Sequence, residues 1–158
     1  HEPAQPTRVR PYPGQECDRA MRFGRPLALL IVDLDHFKRV NDVHGHQAGD
    51  AVLREAARRL AQQVRLVDRA TRFGGEEFAI VLMEMDGAQA MEVARRMCRT
   101  MAATPIEAAP GVTLPVTMSV GVAVSPTEAR DPKSLVAAAD RALYTAKRQG
   151  RNCCVIAA

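Results

Sequence analysis

"RLVDRATRFGGEEFAIVLME", Arg65–Glu84, sets two β-prone runs on either side of a glycine pair. "RLVDRATRF" and "EFAIVLME" read as short strands joined at Gly74-Gly75, a hairpin. A tight turn alone does not call for two glycines followed by two adjacent carboxylates, Glu76 and Glu77. The hairpin decides the fold, because it places two antiparallel strands between helical segments. The acids beside the glycines are the first pointer to chemistry.

Upstream, "PLALLIVDLDHF" (Pro26–Phe37) is an unbroken apolar run ending in acids, which predicts a buried central strand over Leu27–Leu34. "FKRVNDVHG" predicts a short helical turn closed by Gly45. From Asp50, the stripe Val52, Ala56, Leu60 and Val64 predicts an amphipathic helix. Downstream, Ala90, Val93, Ala94, Met97 and Met101 recur at helical spacing, and these methionines read as core filler. "TLPVTMSVGVAVSP" alternates as one strand with Pro115 near its start. "DPKSLVAAADRALYTAKRQG" is a helix opened by Pro132 and closed by Gly150. "NCCVIAA" ends the chain as a short strand. This order, β, α, β, β, α, β, α, β, predicts an α+β fold of the ferredoxin-like, split βαβ kind. Its antiparallel sheet would carry helices on one face.

The 158 residues suit one domain, over residues 25–158. Residues 1–24 read as a linker or N-terminal edge with a short helix, since "HEPAQPTRVRPYPG" holds four of the ten prolines. The formal net charge of +4 suits a nucleotide or another polyanion. Aromatic residues make up only 4%, which argues against a base-stacking surface and so against a nucleic-acid partner, including a ferredoxin-like RNA-binding module. Cys17, Cys98, Cys153 and Cys154 lack metal-site spacing and read as free thiols of a reducing compartment, placing the domain in the cytoplasm. No run has the length of a membrane span, so no membrane contact by this domain is expected, although a parent protein could be membrane-anchored.

Two acidic clusters stand out: Asp33-Leu34-Asp35 at the end of the first strand, and Glu76-Glu77 on the hairpin turn. Neighbouring strands would bring them to one edge, where the carboxylates repel unless a cation lies among them. Such oxygen clusters suit Mg²⁺ shared with phosphate oxygens. Phe37-Lys38 opens the next turn, where backbone N–H groups could receive phosphates. Lys147 and Arg151, four apart at the end of the last helix, offer positive charge for a triphosphate. Asn41 and Asp50 have the amide and carboxylate needed for a guanine edge. Surface acids, a C-terminal cation pair, a turn residue and an N-cap are the plainer readings of these positions.

Together "DLDHFKRVNDVHGHQAGD" (Asp33–Asp50), "RFGGEEF" (Arg72–Phe78), "SVGVA" (Ser119–Ala123) and "DRALYTAKRQGRN" (Asp140–Asn152) resemble the GGDEF domain of diguanylate cyclases. The variant is the one with Gly-Gly-Glu-Glu-Phe. The resemblance runs from about Arg25 to Asn152 and implies a nucleotidyl-cyclase palm-like sheet. It further implies a homodimer that condenses two GTP into cyclic di-(3′→5′)-GMP with release of pyrophosphate.

By the same resemblance, Asp33 and Glu76 hold Mg²⁺, or Mn²⁺ in its place, with the backbone carbonyl of Leu34. Asn41 and Asp50 recognise guanine and His46 contacts substrate, beside the Phe37 backbone N–H already read as a phosphate contact. Lys38 stabilises the transition state, and Lys147 and Arg151 bind phosphates. Glu76 is the base for the 3′-hydroxyl, with Glu77 a second acidic participant. Gly74 and Gly75 leave room for the nucleotide.

Arg65 and Asp68, an Arg-x-x-Asp five residues before Gly74, match an inhibitory product site, with Arg96 as a secondary contact to the same ligand from a neighbouring domain. An arginine–aspartate pair capping a strand is the plainer reading. The segment "TRVRPYPGQECDRAMRFGRP" lacks the Asp-x-Leu-Thr-x-Leu-x-Asn-Arg element of most family members, which bears on dimerisation and not on ligand binding. The alternative function is a silent GGDEF module that senses GTP or cyclic di-GMP.

Overall fold

The computed structural model describes residues 15–157 except Phe73 and Glu128. Most of the expected N-terminal linker, residues 1–14, therefore lies outside the described residues. Helix α1 (Gln15–Arg22) buries Cys17 and Ala20 beside the sheet. Then follow β1 (Leu27–Leu34), α2 (Phe37–His44), α3 (His46–Ala61), β2 (Arg69–Arg72) and β3 (Glu77–Met83). The second half is α4 (Gly87–Ala103), β4 (Ile106–Ala109), β5 (Val112–Leu114), β6 (Met118–Ser125), α5 (Pro132–Arg148) and β7 (Cys154–Ile156).

The main sheet has the order β2-β3-β1-β6-β7. Its first four strands pair antiparallel in the ferredoxin-like arrangement, while β7 adds to β6 in parallel. The α+β class holds, but the sheet is mixed, and its helices cover both faces and not one. The cause is legible in β1, where every residue is buried. Alternation sends Ala28, Leu30 and Val32 into a core with α3 and α4, and Leu27, Leu29 and Ile31 into a second core with α5.

Other boundaries shift for local reasons. Helix α3 begins at His46, after Gly45 at φ +89° breaks the chain direction, so Asp50 lies inside the helix and is not its N-cap. Arg65–Asp68 forms a turn, and β2 begins only at Arg69. The run expected as one strand from Thr113 divides: Val112–Leu114 pairs with Ile106–Ala109 as a separate hairpin, and β6 starts at Met118 beyond Pro115. Helix α5 ends at Arg148, which leaves Arg151 beyond it in a left-handed turn.

Helix α4 starts on a capping box between Asp86 and Gln89. Its predicted stripe is buried throughout. No disulfide joins the four cysteines.

Candidate active site

The antiparallel register of β1 with β3 sets Asp33 opposite Glu77, and the Leu34 N–H donates to the Glu76 carbonyl at 3.3 Å. Asp33, Glu76 and Glu77 therefore meet at one end of the sheet. Asp33 shares the β1 face of Leu29 and Ile31, which is the α5 face. There Lys147 Nζ donates to Asp33 Oδ2 at 2.5 Å.

Burial pushes the Asp33 carboxyl above its usual range, against the pull of Lys147. Burial and the charge of Asp33 push Glu76 up to about 7. Asp33 Oδ1 is buried without a hydrogen-bond partner. The crowded carboxylate pair and its unpartnered oxygen offer oxygen ligands to a cation, although among the described residues no group of three or more His, Cys, Asp or Glu side chains gathers as a metal cluster. The residues present fit a divalent ion.

Leu34 is buried in the core by its side chain, so only its backbone could reach such an ion. Asp35, the second acid of that run, faces elsewhere.

The loop Gly74–Glu76 is clasped from behind. Arg72 Nε donates to the Gly74 carbonyl at 3.2 Å and Arg72 Nη2 to that of Gly75 at 2.8 Å. Arg72 is a positioning candidate that motif reading left out, although the first letter of "RFGGEEF" was its signal. A Cβ at Gly75 would meet open space, so this glycine leaves the edge uncovered.

Helix α2 carries Phe37, Lys38 and Asn41. Phe37 is buried, so its side chain belongs to the core. Lys38 is exposed in the first turn, where no side chain caps the N–H groups. A Cβ at Gly49 would stand 1.9 Å from Asn41 Oδ1 and 3.2 Å from Phe37 Cζ. A side chain there would displace the Asn41 amide, so Gly49 lets Asn41 lie against α3, one residue from Asp50. His46 is exposed at the start of α3. A groove of about 500 Å³ runs between α3 and the hairpin, lined by Asp50, Leu53, Arg54, Thr71, Arg72 and Phe78 among others. Its apolar floor and polar rim suit a nucleobase.

Arg65 and Asp68 lie at the other end of the hairpin. Asp68 is buried and accepts from Arg65 N–H (2.9 Å), Arg65 Nε (3.0 Å), Arg65 Nη2 (2.9 Å) and Met83 N–H (3.0 Å). These bonds hold its carboxyl below the usual range against burial, the largest opposing effect. The plainer reading of this motif, a turn staple, is thus present in full. Arg65 keeps about half its side chain exposed. Arg96 on α4 donates to the Gln63 carbonyl at 3.1 Å, two residues from Arg65.

A family model described as "Diguanylate cyclase, GGDEF domain" matches residues 11–153. The chain belongs to the diguanylate cyclase GGDEF-domain family. This GGDEF domain is 41% identical over 138 residues to the response regulator PleD of Caulobacter vibrioides, covering 87% of this chain and 30% of that protein. It thus spans less than a third of the length of that relative. The solved GGDEF domain of YfiN (TpbB) from Pseudomonas aeruginosa superposes with a TM-score of 0.87 at 38% identity, covering 90% of this chain and 86% of that one. The GGDEF domain of DgcB from Caulobacter crescentus, solved in complex with c-di-GMP, has a TM-score of 0.80 at 31% identity, covering 89% of this chain and 82% of that one. Among the described residues of this GGDEF domain, no helix is long and apolar enough to cross a membrane.

Proposed function

We propose that this domain condenses two GTP into cyclic di-(3′→5′)-GMP and that the hairpin end bearing Glu76 is its catalytic edge. The observation that carries the proposal is the Asp33–Glu76 pair, with its orphaned oxygen and the Lys147 ammonium standing against it. A plain surface cluster of acids would not bury Asp33, nor push the half-buried Glu76 carboxyl up to about 7. Asp33, Glu76 and the Leu34 carbonyl would hold Mg²⁺ or Mn²⁺. The ion, when bound, neutralises phosphate charge and polarises the oxygens around the reacting phosphorus.

The domain's own residues do the rest. Asn41 and Asp50 read the guanine edge beside the α3 groove, with His46 as a further contact. The uncapped N–H groups at Phe37 and Lys38 receive phosphates, and Lys38 meets the charge that develops in the transition state. Lys147 exchanges Asp33 for the triphosphate as substrate arrives, joined there by Arg151. Glu76 takes the proton of the 3′-hydroxyl, whose oxygen attacks the α-phosphorus of the second GTP while pyrophosphate leaves. Glu77 sits beside it as a second acid, and Gly74 and Gly75 leave the approach open. The reading rests on all of these charges being in place, which also favours an enzyme over a silent sensor. The domain works in the cytoplasm on this reading.

The test is pyrophosphate and cyclic di-GMP formation from GTP with Mg²⁺ at high protein concentration. Glu76→Gln should keep the fold and lose turnover. A Gln variant running at the full rate would remove Glu76 from the mechanism.

We also propose that Arg65, with Asp68 and Arg96, binds the product with micromolar-class affinity, about 8 kcal/mol. Asp68 is saturated by its own turn, and the exposed half of the Arg65 side chain is the part that reaches the ligand's phosphates. Calorimetry should give heat with wild type and much less with Arg65→Ala. Equal binding by the two proteins would exclude Arg65.

A further inference from the structure

Of the acids in Asp33-Leu34-Asp35, the last is built into a different network. Asp35 is 8% exposed. Thr117 Oγ1 donates to its Oδ2 at 2.7 Å, Ser119 Oγ to its Oδ1 at 2.6 Å, and the Asn152 N–H to its Oδ2 at 2.9 Å. Its own N–H donates to the Thr117 carbonyl at 2.9 Å. One carboxylate thus ties the end of β1 to the start of β6 and to the turn after α5. None of these donors is a cation, so the bonds here are directional and local.

That turn is unusual. Gly150 has φ +109°, Arg151 +65° and Asn152 +47°. Two successive residues with side chains stand in the left-handed region, which asparagine tolerates and arginine rarely adopts. Arg151 N–H reaches back to the Ala146 carbonyl at 3.1 Å, and strand pairing resumes with Val120 N–H on the Cys153 carbonyl at 3.0 Å. Between those anchors, the bond from Asn152 to Asp35 fastens the turn to β1, two residues from Asp33.

We propose that Asp35 is a positioning residue: by accepting the Asn152 N–H it holds the left-handed Arg151–Asn152 turn and so sets the Arg151 guanidinium beside the catalytic edge. The consequence for nucleotide rests on the reading of Arg151 as a triphosphate cation; the tie between Asp35 and the turn does not.

Asp35→Ala removes every acceptor. Asp35→Asn can keep its amide oxygen on Thr117 and Asn152 while the Ser119 hydroxyl rotates to accept from the amide nitrogen. The experiment measures the Kd of a non-hydrolysable GTP analogue with Mg²⁺. Asp35→Ala and Arg151→Ala should each weaken binding about 10-fold, the loss expected for one charge-assisted contact. The double variant should be no weaker than Arg151→Ala, and Asp35→Asn should recover to within about 3-fold of wild type. Asp35→Ala acting in full on top of Arg151→Ala, or Asn failing to rescue, would overturn the proposal, since the carboxylate would then act through its charge.

Should Asp35→Ala not fold, Asn152→Pro removes the same bond from the exposed side and denies the turn its φ. It should show the same loss and the same non-additivity, and wild-type binding by it would overturn the proposal. A wild-type protein that binds no analogue would count against the catalytic reading. The tie itself is then judged without nucleotide, by the amide signal of Asn152. In Asp35→Ala that signal should shift and lose hydrogen-exchange protection, and an unchanged signal would sink the inference.

Discussion

At Glu76 a single carboxyl links stability, proton and the proposed metal. Its folded value of about 7 stands above the ordinary 4.5, raised first by burial and then by Asp33, with Glu77 adding and Lys147 opposing. Between those two values the folded protein keeps a proton that the unfolded chain has released, so stability falls as pH rises through this window. Asp33 is shifted in the same direction. The melting temperature of metal-free protein should therefore decline between about pH 5 and about pH 8. Mg²⁺, competing with the proton, should flatten the upper part of that decline. Glu76→Gln should remove most of the slope, and the difference between the two proteins isolates this group from thiols such as Cys154, which is held near 7 by its neighbour Cys98. A wild-type melting temperature that climbs across the window would contradict this account. That the acids of this edge meet was legible in the sequence, because they stand at the ends of two strands expected to be neighbours. What Asp35 touches was not, since Thr117 and Asn152 lie 82 and 117 residues away along the chain.

Elements place the site by how closely they approach, and glycine marks the tightest approach. On β6, a Cβ at Gly121 would stand 2.1 Å from the Ala139 carbonyl oxygen and 2.3 Å from Leu143 N, both backbone atoms of α5. No side-chain rotation relieves that overlap, so Gly121→Ala must push α5 off the sheet. The cost should be roughly 3 kcal/mol, at the upper end for overpacking. Lys147 and Arg151 ride on α5 and the turn after it, so nucleotide affinity should fall together with stability. Denaturant melts read the first effect and analogue titration the second; an unchanged midpoint would refute the packing argument. Here "SVGVA" was recognisable as a motif, yet its physical reason appears only when α5 lies across it. The β4–β5 hairpin was missed for a related reason. Its strands have four and three residues, too short for alternation to show, and Pro115 seemed to sit inside one longer strand. The second helical layer was half legible. An all-apolar β1 demands cover on both faces, and the ferredoxin-like pattern alone had suggested one.

For the whole molecule, the described residues present one proposed catalytic edge and one groove suited to a base, while the proposed product contains two phosphodiester links made by two equivalent attacks. Each 3′-hydroxyl must meet the phosphorus of a nucleotide held by another copy, which calls for a two-fold arrangement. Two free domains, each with a formal net charge of +4, repel at long range, and two triphosphates between them offset that repulsion. GTP should thus bind the monomer on its own and, by linkage, more tightly as dimers form, while turnover requires the dimer. At saturating GTP, rate should grow with about the square of protein concentration while the domain is monomeric, then become linear as dimers saturate. Fusion of a parallel coiled coil ahead of α1 should raise the rate per chain at low concentration. The check is initial rate of pyrophosphate release from about 10 nM to about 100 µM protein, alongside sedimentation under the same conditions. A constant rate per chain in a protein that sediments as a monomer throughout would mean that one domain completes the reaction alone, and the two-fold argument would fail.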